Sequence, residues 1–245
     1  MAIKVSDYIA EFLAAHGVQQ IFSVVGGGAM HLNDSLGHHD ALSTIYHHHE
    51  QAAAMAAECY TRLHGEMAVL CVTSGPGALN AISGVVGAYQ DSIPMIVLSG
   101  QAKSTLCIAG CGGKIRTIGG QEADVVSAVR HNTTKNPVML MDPTRVRYEL
   151  EKAFFLAQEG RPGPCWIDIP LDVQGMYVEE ADLEGYAQPE PEGRTDVRTA
   201  VQKVLAQLKK AERPVLYAGN GIRLSGGMQV FKRLCQVLRI PVVTC

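Results

Sequence analysis

An acidic residue stands where an extended apolar segment gives way to an alanine-rich stretch, in Tyr46–Arg62, YHHHEQAAAMAAECYTR. Three histidines precede this acid, Glu50, and a run of alanines follows it. Three kinds of chemistry suit a carboxylate in this place. It could bind a metal ion together with the histidines, stabilise the first turn of a helix through the helix dipole, or handle a proton for a ligand in a pocket.

The histidines do not complete a recognised zinc motif with Glu50. A zincin helix carries a second histidine four residues after the first, but that position is Ala53. In an extended segment His47, His48 and His49 point to alternating faces, so at most two of them can meet one metal ion. We therefore predict no metal site in this chain. The helix-dipole and proton-handling roles of Glu50 both remain open at this point.

Glycine-rich segments that could hold a phosphate follow three apolar runs, at Gly26–Gly28, Gly75–Gly77 and Gly219–Gly221. A dinucleotide-binding fingerprint needs one more glycine three residues after each segment. Those positions hold His31, Asn80 and Leu224 instead. The sequence also contains neither a Walker A motif nor a GxSxG nucleophile elbow. A Rossmann nucleotide-binding module and a serine hydrolase are therefore disfavoured.

Short apolar segments alternate with helical patterns along the first part of the chain. The runs typical of buried strands are Gln20–Val25, Leu42–His47, Met67–Ser74, Pro94–Gly100 and Pro164–Pro170. Helical patterns lie between them, as in Glu50–Leu63 and Pro143–Gln158. Apolar runs separated by helices are typical of parallel strands that are covered on both faces. The pattern predicts an α/β fold, with a doubly wound parallel sheet and helices on both faces.

A change in composition separates this region from a second α/β segment. Residues 181–196 are acidic, rich in proline and glycine, and lack apolar periodicity. We predict a first domain over residues 1–180, a linker over 181–196, and the start of a second domain over 197–245. Its two helical and two strand patterns cannot bury both faces of a sheet. We therefore expect this incomplete domain to continue beyond Cys245 or to be completed by another chain.

Composition narrows the classes of partner. The net charge of −3 provides no basic face for nucleic acid, and the longest apolar runs are too short to span a bilayer. Seven cysteines without CxxC spacing favour reduced thiols. We predict a cytoplasmic protein that binds neither nucleic acid nor membrane.

Glu50 also belongs to an ordered series of motifs. The series runs through His49-Glu50, Tyr60-x-Arg62, Thr73-Ser74-Gly75-Pro76-Gly77, Asn80, Asp91-Ser92-x-Pro94 and Gly100-Gln101. It continues with GQEADVV over 120–126 and GRPGPCWIDIPLDVQ over 160–174. In this order the motifs resemble thiamine diphosphate-dependent enzymes of the acetolactate synthase type. The resemblance covers the N-terminal, pyrimidine-binding domain from about Val5 to Gln174, followed by the start of the central domain.

The resemblance implies a role for Glu50. The corresponding acid of the family hydrogen-bonds a ring nitrogen of the aminopyrimidine of thiamine diphosphate and promotes proton loss from the thiazolium carbon. The residues that the resemblance places around the cofactor are Gly26, Gly27, Glu50, Thr73, Ser74, Gly75, Pro76, Gly77 and Asn80. It places Gln121 on the substrate side. Val25 stands where the family commonly has proline. Gly120 stands where acetolactate synthases commonly have a phenylalanine that shapes the acceptor pocket, so the acceptor substrate stays open.

The resemblance further implies partners and an activity. Mg²⁺ and the diphosphate would be held by a C-terminal domain that these 245 residues do not match, and the active site would lie at the subunit interface of a homodimer or tetramer. The implied activity is decarboxylation of a 2-keto acid, followed by carboligation or aldehyde release; FAD binding is left open. We expect the chain alone to bind the cofactor weakly and to be inactive. The alternative is a short subunit or a non-catalytic homologue that pairs with a separate diphosphate-binding chain.

Overall fold

The computed structural model describes residues 2–108, 110, 112, 124–190 and 196–244. The chain divides into two compact units, Met1–Gln188 and Pro189–Cys245. The strands of the first unit are β1 Ala2–Lys4, β2 Gln20–Ser23, β3 Ser43–Tyr46, β4 Ala68–Val72, β5 Met95–Gln101, β6 Asn136–Met139, β7 Pro164–Pro170 and β8 Tyr177–Glu179. Its helices are α1 Val5–Ala15, α2 Met30–His38, α3 Glu50–His64, α4 Pro76–Gln90, α5 Val125–Ala128, α6 Val146–Gln158 and α7 Leu171–Gln174.

A parallel sheet forms the centre of the first unit. Within the described part of the chain it has six strands in the order β3-β2-β4-β5-β7-β6. Every neighbouring pair is parallel, as in β5 and β7, where Met95 lies opposite Pro164 and Gln101 opposite Pro170. The loops that follow β2, β3 and β4 therefore leave the same edge of the sheet, which is where α/β proteins build their ligand sites.

Two hydrophobic cores lie on opposite faces of this sheet. Val69 and Cys71 of β4 belong to one core, and Leu70 and Val72 belong to the other. Successive side chains of a strand point to opposite faces, so both faces of β4 are buried. Residues of α1, α2 and α6 complete the first core, and small residues of α3 and α4 complete the second. The predicted doubly wound parallel sheet with helices on both faces is confirmed.

Three strands are not evident as apolar runs in the sequence. β6 lies at the edge of the sheet, and all four of its residues are half-buried. It contains Pro137, which an edge strand tolerates because one side of it needs no hydrogen bonds. β1 and β8 form a separate antiparallel pair, and each has three residues. Segments this short and this exposed carry no readable periodicity.

The second unit, Pro189–Cys245, combines helices with a short strand pair. It contains α8 Val197–Lys210, β9 Leu216–Ala218, α9 Gly221–Leu224, α10 Met228–Leu238 and β10 Val242–Thr244. β9 and β10 pair in parallel, with Leu216 opposite Val242. Among the described residues of this unit Ala218 alone is buried, so the unit has almost no core of its own. Over the described parts of both units, no helix has the length and apolarity that a membrane crossing requires.

Candidate functional site

Glu50 is the first residue of α3 and lies at the edge of the sheet where β3 ends. The ring of His49 caps the helix, because Nδ1 accepts a hydrogen bond from the backbone N–H of Gln51 at 3.1 Å. This cap accounts for one of the three histidines without a metal ion. Among the described residues, no group of three or more His, Cys, Asp or Glu side chains is placed to hold a metal.

The carboxylate of Glu50 has one oxygen held and one oxygen open. Asn80 Nδ2 donates to Glu50 Oε2 at 3.0 Å. Glu50 Oε1 accepts no hydrogen bond from any residue that the structure describes. Glu50 is half-buried and Asn80 is exposed. The arrangement therefore fixes the direction of the carboxylate and leaves Oε1 available to a ligand.

The close approach of α3 and α4 brings Asn80 to Glu50. The two helices touch at Gly84, which is buried. A β-carbon built on Gly84 would lie 2.6 Å from the β-carbon of Ala54 and 2.9 Å from the backbone nitrogen of Met55. Contacts this short leave no room for a side chain. Asn80 precedes Gly84 by one helical turn, so it lies on the same face of α4 and reaches the first turn of α3.

The turn between β4 and α4 forms the wall next to Glu50. Gly75 has a φ of 59°, a conformation that glycine adopts without strain. Pro76 then occupies the first position of α4, where a missing N–H has no consequence. A β-carbon on Gly77 would lie 3.3 Å from Glu50 Oε1 and 2.6 Å from Cγ2 of Thr73. The absence of a side chain at Gly77 keeps the space beside Oε1 open.

Thr73 joins this wall to the glycine loop, Gly26–Gly28, that follows β2. The backbone N–H of Gly28 donates to Thr73 Oγ1 at 3.1 Å. A β-carbon on Gly26 would lie 2.5 Å from the β-carbon of Thr73, whereas one on Gly27 would meet nothing within 4 Å. Thr73 therefore packs against the loop at Gly26 and Gly28, while the Cα of Gly27 faces open space. On Gly28, a β-carbon would lie 2.7 Å from Ser74 Oγ.

The structure brings together all but one of the residues that the sequence places at the site. Gly26, Glu50, Thr73 and Gly77 form a connected series of contacts, and Asn80 completes it. Ser74, Gly75 and Pro76 belong to the same turn, and Gly27 belongs to the same loop. The exception is Gln121, which lies outside the described residues, as does Gly120. Sequence reasoning missed Gly28 and Gly84, although a lone glycine within a helical pattern is itself a signal of close packing.

A buried polar cluster supports the segment that follows β5. Asp168 accepts hydrogen bonds from Ser99 Oγ at 2.5 Å and from Gln101 Nε2 at 2.9 Å, and the Trp166 ring N–H donates to Ser99 Oγ at 2.7 Å. All four side chains are completely buried. The backbone N–H of Ala102 donates to Gln101 Oε1 at 2.9 Å. The cluster therefore fixes the point at which the chain leaves β5.

A second carboxylate, Asp172 of α7, holds the segment after β5 at Ser104. Asp172 accepts hydrogen bonds from the backbone N–H of Ser104 at 2.8 Å and from its hydroxyl at 2.5 Å. Burial alone would raise the pKa of the Asp172 carboxyl, but the hydrogen bonds from Ser104, together with those from the backbone N–H groups of Asp172 and Val173, outweigh burial and lower the pKa below its ordinary value. Asp172 is therefore ionised and holds Ser104 in place at neutral pH.

The residues present fit the aminopyrimidine part of thiamine diphosphate. The open oxygen of Glu50 can accept a hydrogen bond from a protonated ring nitrogen, and the side-chain-free face of Gly77 leaves space beside it for a flat ring. A diphosphate with its metal ion needs several oxygen ligands. The described residues provide no acidic cluster for that metal ion. Among the described residues, those of the candidate site therefore fit the aminopyrimidine half of the cofactor.

Comparison with known proteins gives matches along most of the chain. The family model described as "Thiamine pyrophosphate enzyme, N-terminal TPP binding domain" matches residues 3–115, and the model described as "Thiamine pyrophosphate enzyme, central domain" matches residues 201–245. The chain belongs to the thiamine pyrophosphate enzyme family. Glu50, Thr73, Gly77 and Asn80 all lie within the match to the N-terminal TPP binding domain.

Individual members of this family are similar in sequence to this chain over nearly its whole length. The acetolactate synthase large subunit of Lactococcus lactis is 35% identical over 242 residues, which are 98% of this chain and 40% of that protein. Acetolactate synthase isozyme 3 large subunit of Escherichia coli is 33% identical over 245 residues, 97% of this chain and 40% of that protein. The probable acetolactate synthase large subunit of Methanocaldococcus jannaschii is 35% identical over 250 residues, which cover 99% of this chain and 40% of that protein.

The chain therefore spans about two fifths of the length of these relatives. It carries the N-terminal region of an acetolactate synthase-like thiamine pyrophosphate enzyme. The resemblance drawn from the motifs around Glu50 is confirmed at this level.

Proposed function

We propose that this chain supplies the pyrimidine-binding half of a thiamine diphosphate site in an acetolactate synthase-like decarboxylase or carboligase. The observation that carries the proposal is the Glu50 carboxylate, whose Oε2 is held by Asn80 while Oε1 is open beside Gly77. A helix-dipole role alone would require neither the Asn80 hydrogen bond nor the open space.

Each residue has a defined task in this proposal. Glu50 Oε1 holds a proton at a ring nitrogen of the aminopyrimidine, and Asn80 keeps the carboxylate turned toward that nitrogen. Gly77 leaves room for the ring, and Thr73 sets the distance between the ring and the glycine loop. When bound, thiamine diphosphate supplies the nucleophilic carbon and the electron sink that decarboxylation of a 2-keto acid requires. The protein contributes position and proton control.

A partner surface is part of the proposal, because the site is open on the chain alone. Val25 before the glycine loop, Met30 after it, and Leu79 next to Asn80 have exposed fractions of 61%, 53% and 41%. Exposed apolar side chains gathered around a polar site favour association with another protein surface. We propose that a second subunit, of a homodimer or a tetramer, covers this face. That subunit would bring the Mg²⁺ and diphosphate ligands and would exclude water from Glu50.

The substrate that we propose is inferred from the relatives of this chain. Those relatives include acetolactate synthase large subunits, and they support a 2-keto acid as the first substrate. The proposal includes Gln121 on the substrate side and does not include flavin. The alternative, a short subunit that pairs with a separate diphosphate-binding chain, would use Glu50 in the same way. A non-catalytic homologue would have no use for the open Glu50 oxygen.

Calorimetric titration of the chain with thiamine diphosphate and Mg²⁺, and separately with NAD, tests this proposal. We expect weak binding of thiamine diphosphate, no binding of NAD, and no turnover of pyruvate by the chain alone. Glu50→Gln should weaken this binding further. Glu58→Gln, the same substitution two turns along the same helix, should retain it, because Glu58 pairs with Arg62 rather than with the site. Equal affinities of the wild type and the Glu50→Gln variant would contradict the proposal.

A further inference from the structure

Gln174, at the end of α7, uses its whole amide group within the protein. The side chain is completely buried. Its Nε2 donates to the carbonyl oxygens of Gly28 at 2.8 Å and of Ile169 at 2.7 Å, and its Oε1 accepts from the backbone N–H of Leu32 at 3.4 Å. An amide nitrogen has two hydrogens, and both are used. Gln174 therefore joins the end of β7 to the glycine loop and to the first turn of α2.

The peptide groups of Gly28 are held from two directions. The carbonyl accepts from Gln174, and the N–H donates to Thr73 Oγ1 at 3.1 Å. A third restraint comes from β5, where a β-carbon on Gly100 would overlap the Gly28 carbonyl oxygen. The loop backbone thus lies against β5 with no space between them, and Gln174 supplies the hydrogen bond that keeps the carbonyl there.

We propose that Gln174 is a positioning residue for the candidate cofactor site. It acts through the Gly28 carbonyl to hold the glycine loop against Thr73, whose side chain in turn contacts Gly77 beside Glu50 Oε1. The hydrogen bonds of Gln174 go to Gly28, Ile169 and Leu32, and none goes to Glu50. The inference rests on the proposed function, because the loop matters to a ligand only if the ligand binds beside Glu50.

A purely structural role for Gln174 makes a different prediction. If its bonds served only to stabilise the core, their loss would lower the stability of the whole first unit without a local effect at the loop. If Gln174 positions the loop, its loss frees the Gly28 carbonyl and loosens residues 27–32 before the rest of the unit opens. Local opening is measured by the exchange of backbone amide hydrogens, which distinguishes the two cases.

Hydrogen–deuterium exchange of the full chain tests the inference with Gln174→Met, which keeps the length of the side chain and removes its polar group. We expect at least tenfold faster exchange at residues 27–32, with little change in α6. Leu150→Ala is the control, because Leu150 is a buried core residue of a separate helix, α6. It should raise exchange throughout the first unit. Should Gln174→Met fail to fold, Gln174→Asn keeps an amide in the core but is too short to reach Gly28, and the same local result is expected.

Titration of the same variants with thiamine diphosphate and Mg²⁺ connects the loop to the site. We expect Gln174→Met to weaken binding at least tenfold, and Leu150→Ala to leave it unchanged under conditions where both are folded. Unchanged exchange at residues 27–32, or a uniform increase like that of Leu150→Ala, overturns the inference. Faster loop exchange with unchanged affinity also overturns it, while the proposed function stands. A wild-type chain that binds no thiamine diphosphate overturns the proposed function itself, and the role of Gln174 with it.

Discussion

Alanine substitution of two glycines in α4 tests the helix contact that builds the site. Gly84 touches α3, whereas a β-carbon on Gly87, less than one turn later in the same helix, would meet nothing within 4 Å. Gly87→Ala should therefore stabilise the first unit by about 0.5–1 kcal/mol, because alanine loses less backbone entropy in a helix. Gly84→Ala gains the same helix propensity but must place its methyl group 2.6 Å from Ala54 and 2.9 Å from the backbone of Met55.

Relief of that contact requires the two helices to separate, since one of the opposing atoms belongs to the backbone. Overpacking of this kind costs about 1–3 kcal/mol. Because both variants gain the same helix propensity, they should differ in free energy of unfolding by the overpacking cost, about 1–3 kcal/mol, although each adds one methyl group to the same helix. Separation of the helices would also move Asn80 away from Glu50, so Gly84→Ala should weaken thiamine diphosphate binding and Gly87→Ala should not.

Urea unfolding followed by tryptophan fluorescence measures this difference. Trp166 is the single tryptophan of the chain and is buried in the first unit, so its emission reports the unfolding of that unit. Far-ultraviolet circular dichroism would show whether the helices unfold in the same transition. A Gly84→Ala variant as stable as Gly87→Ala would refute the close approach of α3 and α4, and with it the reason that Asn80 reaches Glu50.

Two further predictions follow from the pKa shifts. Because the pKa of Asp172 is lowered, its hydrogen bonds from Ser104 stabilise the protein fully above the pKa of an unfolded aspartate, about 4, and this stabilisation is lost as pH falls through the lower folded pKa. The difference in unfolding free energy between wild type and Asp172→Asn should therefore be constant above about pH 5 and shrink below about pH 4. A difference that is independent of pH would contradict this prediction. Burial raises the pKa of the Cys71 thiol to about 12, whereas Cys59 is exposed. Iodoacetamide at about pH 8 should therefore modify Cys59 in the native chain and Cys71 only after unfolding. Modification of Cys71 in the native chain, detected by mass spectrometry, would count against its buried position.

The sheet was predictable because its central strands are buried on both faces. β4, β5 and β7 have no exposed residue, and a strand of that kind appears in the sequence as a continuous apolar run. The two edge strands of the described sheet differ, because β3 is mostly exposed but is predicted from the run Leu42–His47, whereas β6 is not predicted. β6 is half-buried along its whole length, so neither a continuous run nor an alternation identifies it.

The residues of the site were predictable only in part, because some of the contacts that build it join residues far apart in the sequence. Glu50 and the turn Thr73–Gly77 belong to local motifs that are recognisable in the sequence. The hydrogen bond between Glu50 and Asn80 spans 30 residues, and the bond between Gln174 and Gly28 spans 146. Such contacts depend on how closely the helices and strands pack. That packing depends on glycines such as Gly84, whose effect appears only when the opposing atoms are placed.

The carboxylate of Glu50 suits either a helix-start charge or a proton-handling group when only the sequence is considered. The structure adds two observations to that choice: Asn80 holds one oxygen, and the other oxygen faces space beside Gly77. A surface charge at a helix start needs neither feature. Both features support the proposal that a ligand nitrogen occupies the position next to Oε1.

The most direct test of that proposal is the rate at which the thiazolium carbon of bound thiamine diphosphate exchanges its proton for deuterium. The measurement compares wild type with Glu50→Gln, each assembled with the diphosphate-binding half of the site and quenched in acid for NMR. Glutamine retains the size of the side chain and the bond to Asn80 but cannot share a proton in the same way. We expect exchange to slow by about 100-fold or more, with little change in the urea midpoint of the first unit. Equal exchange rates in the two proteins would contradict the role assigned to Glu50.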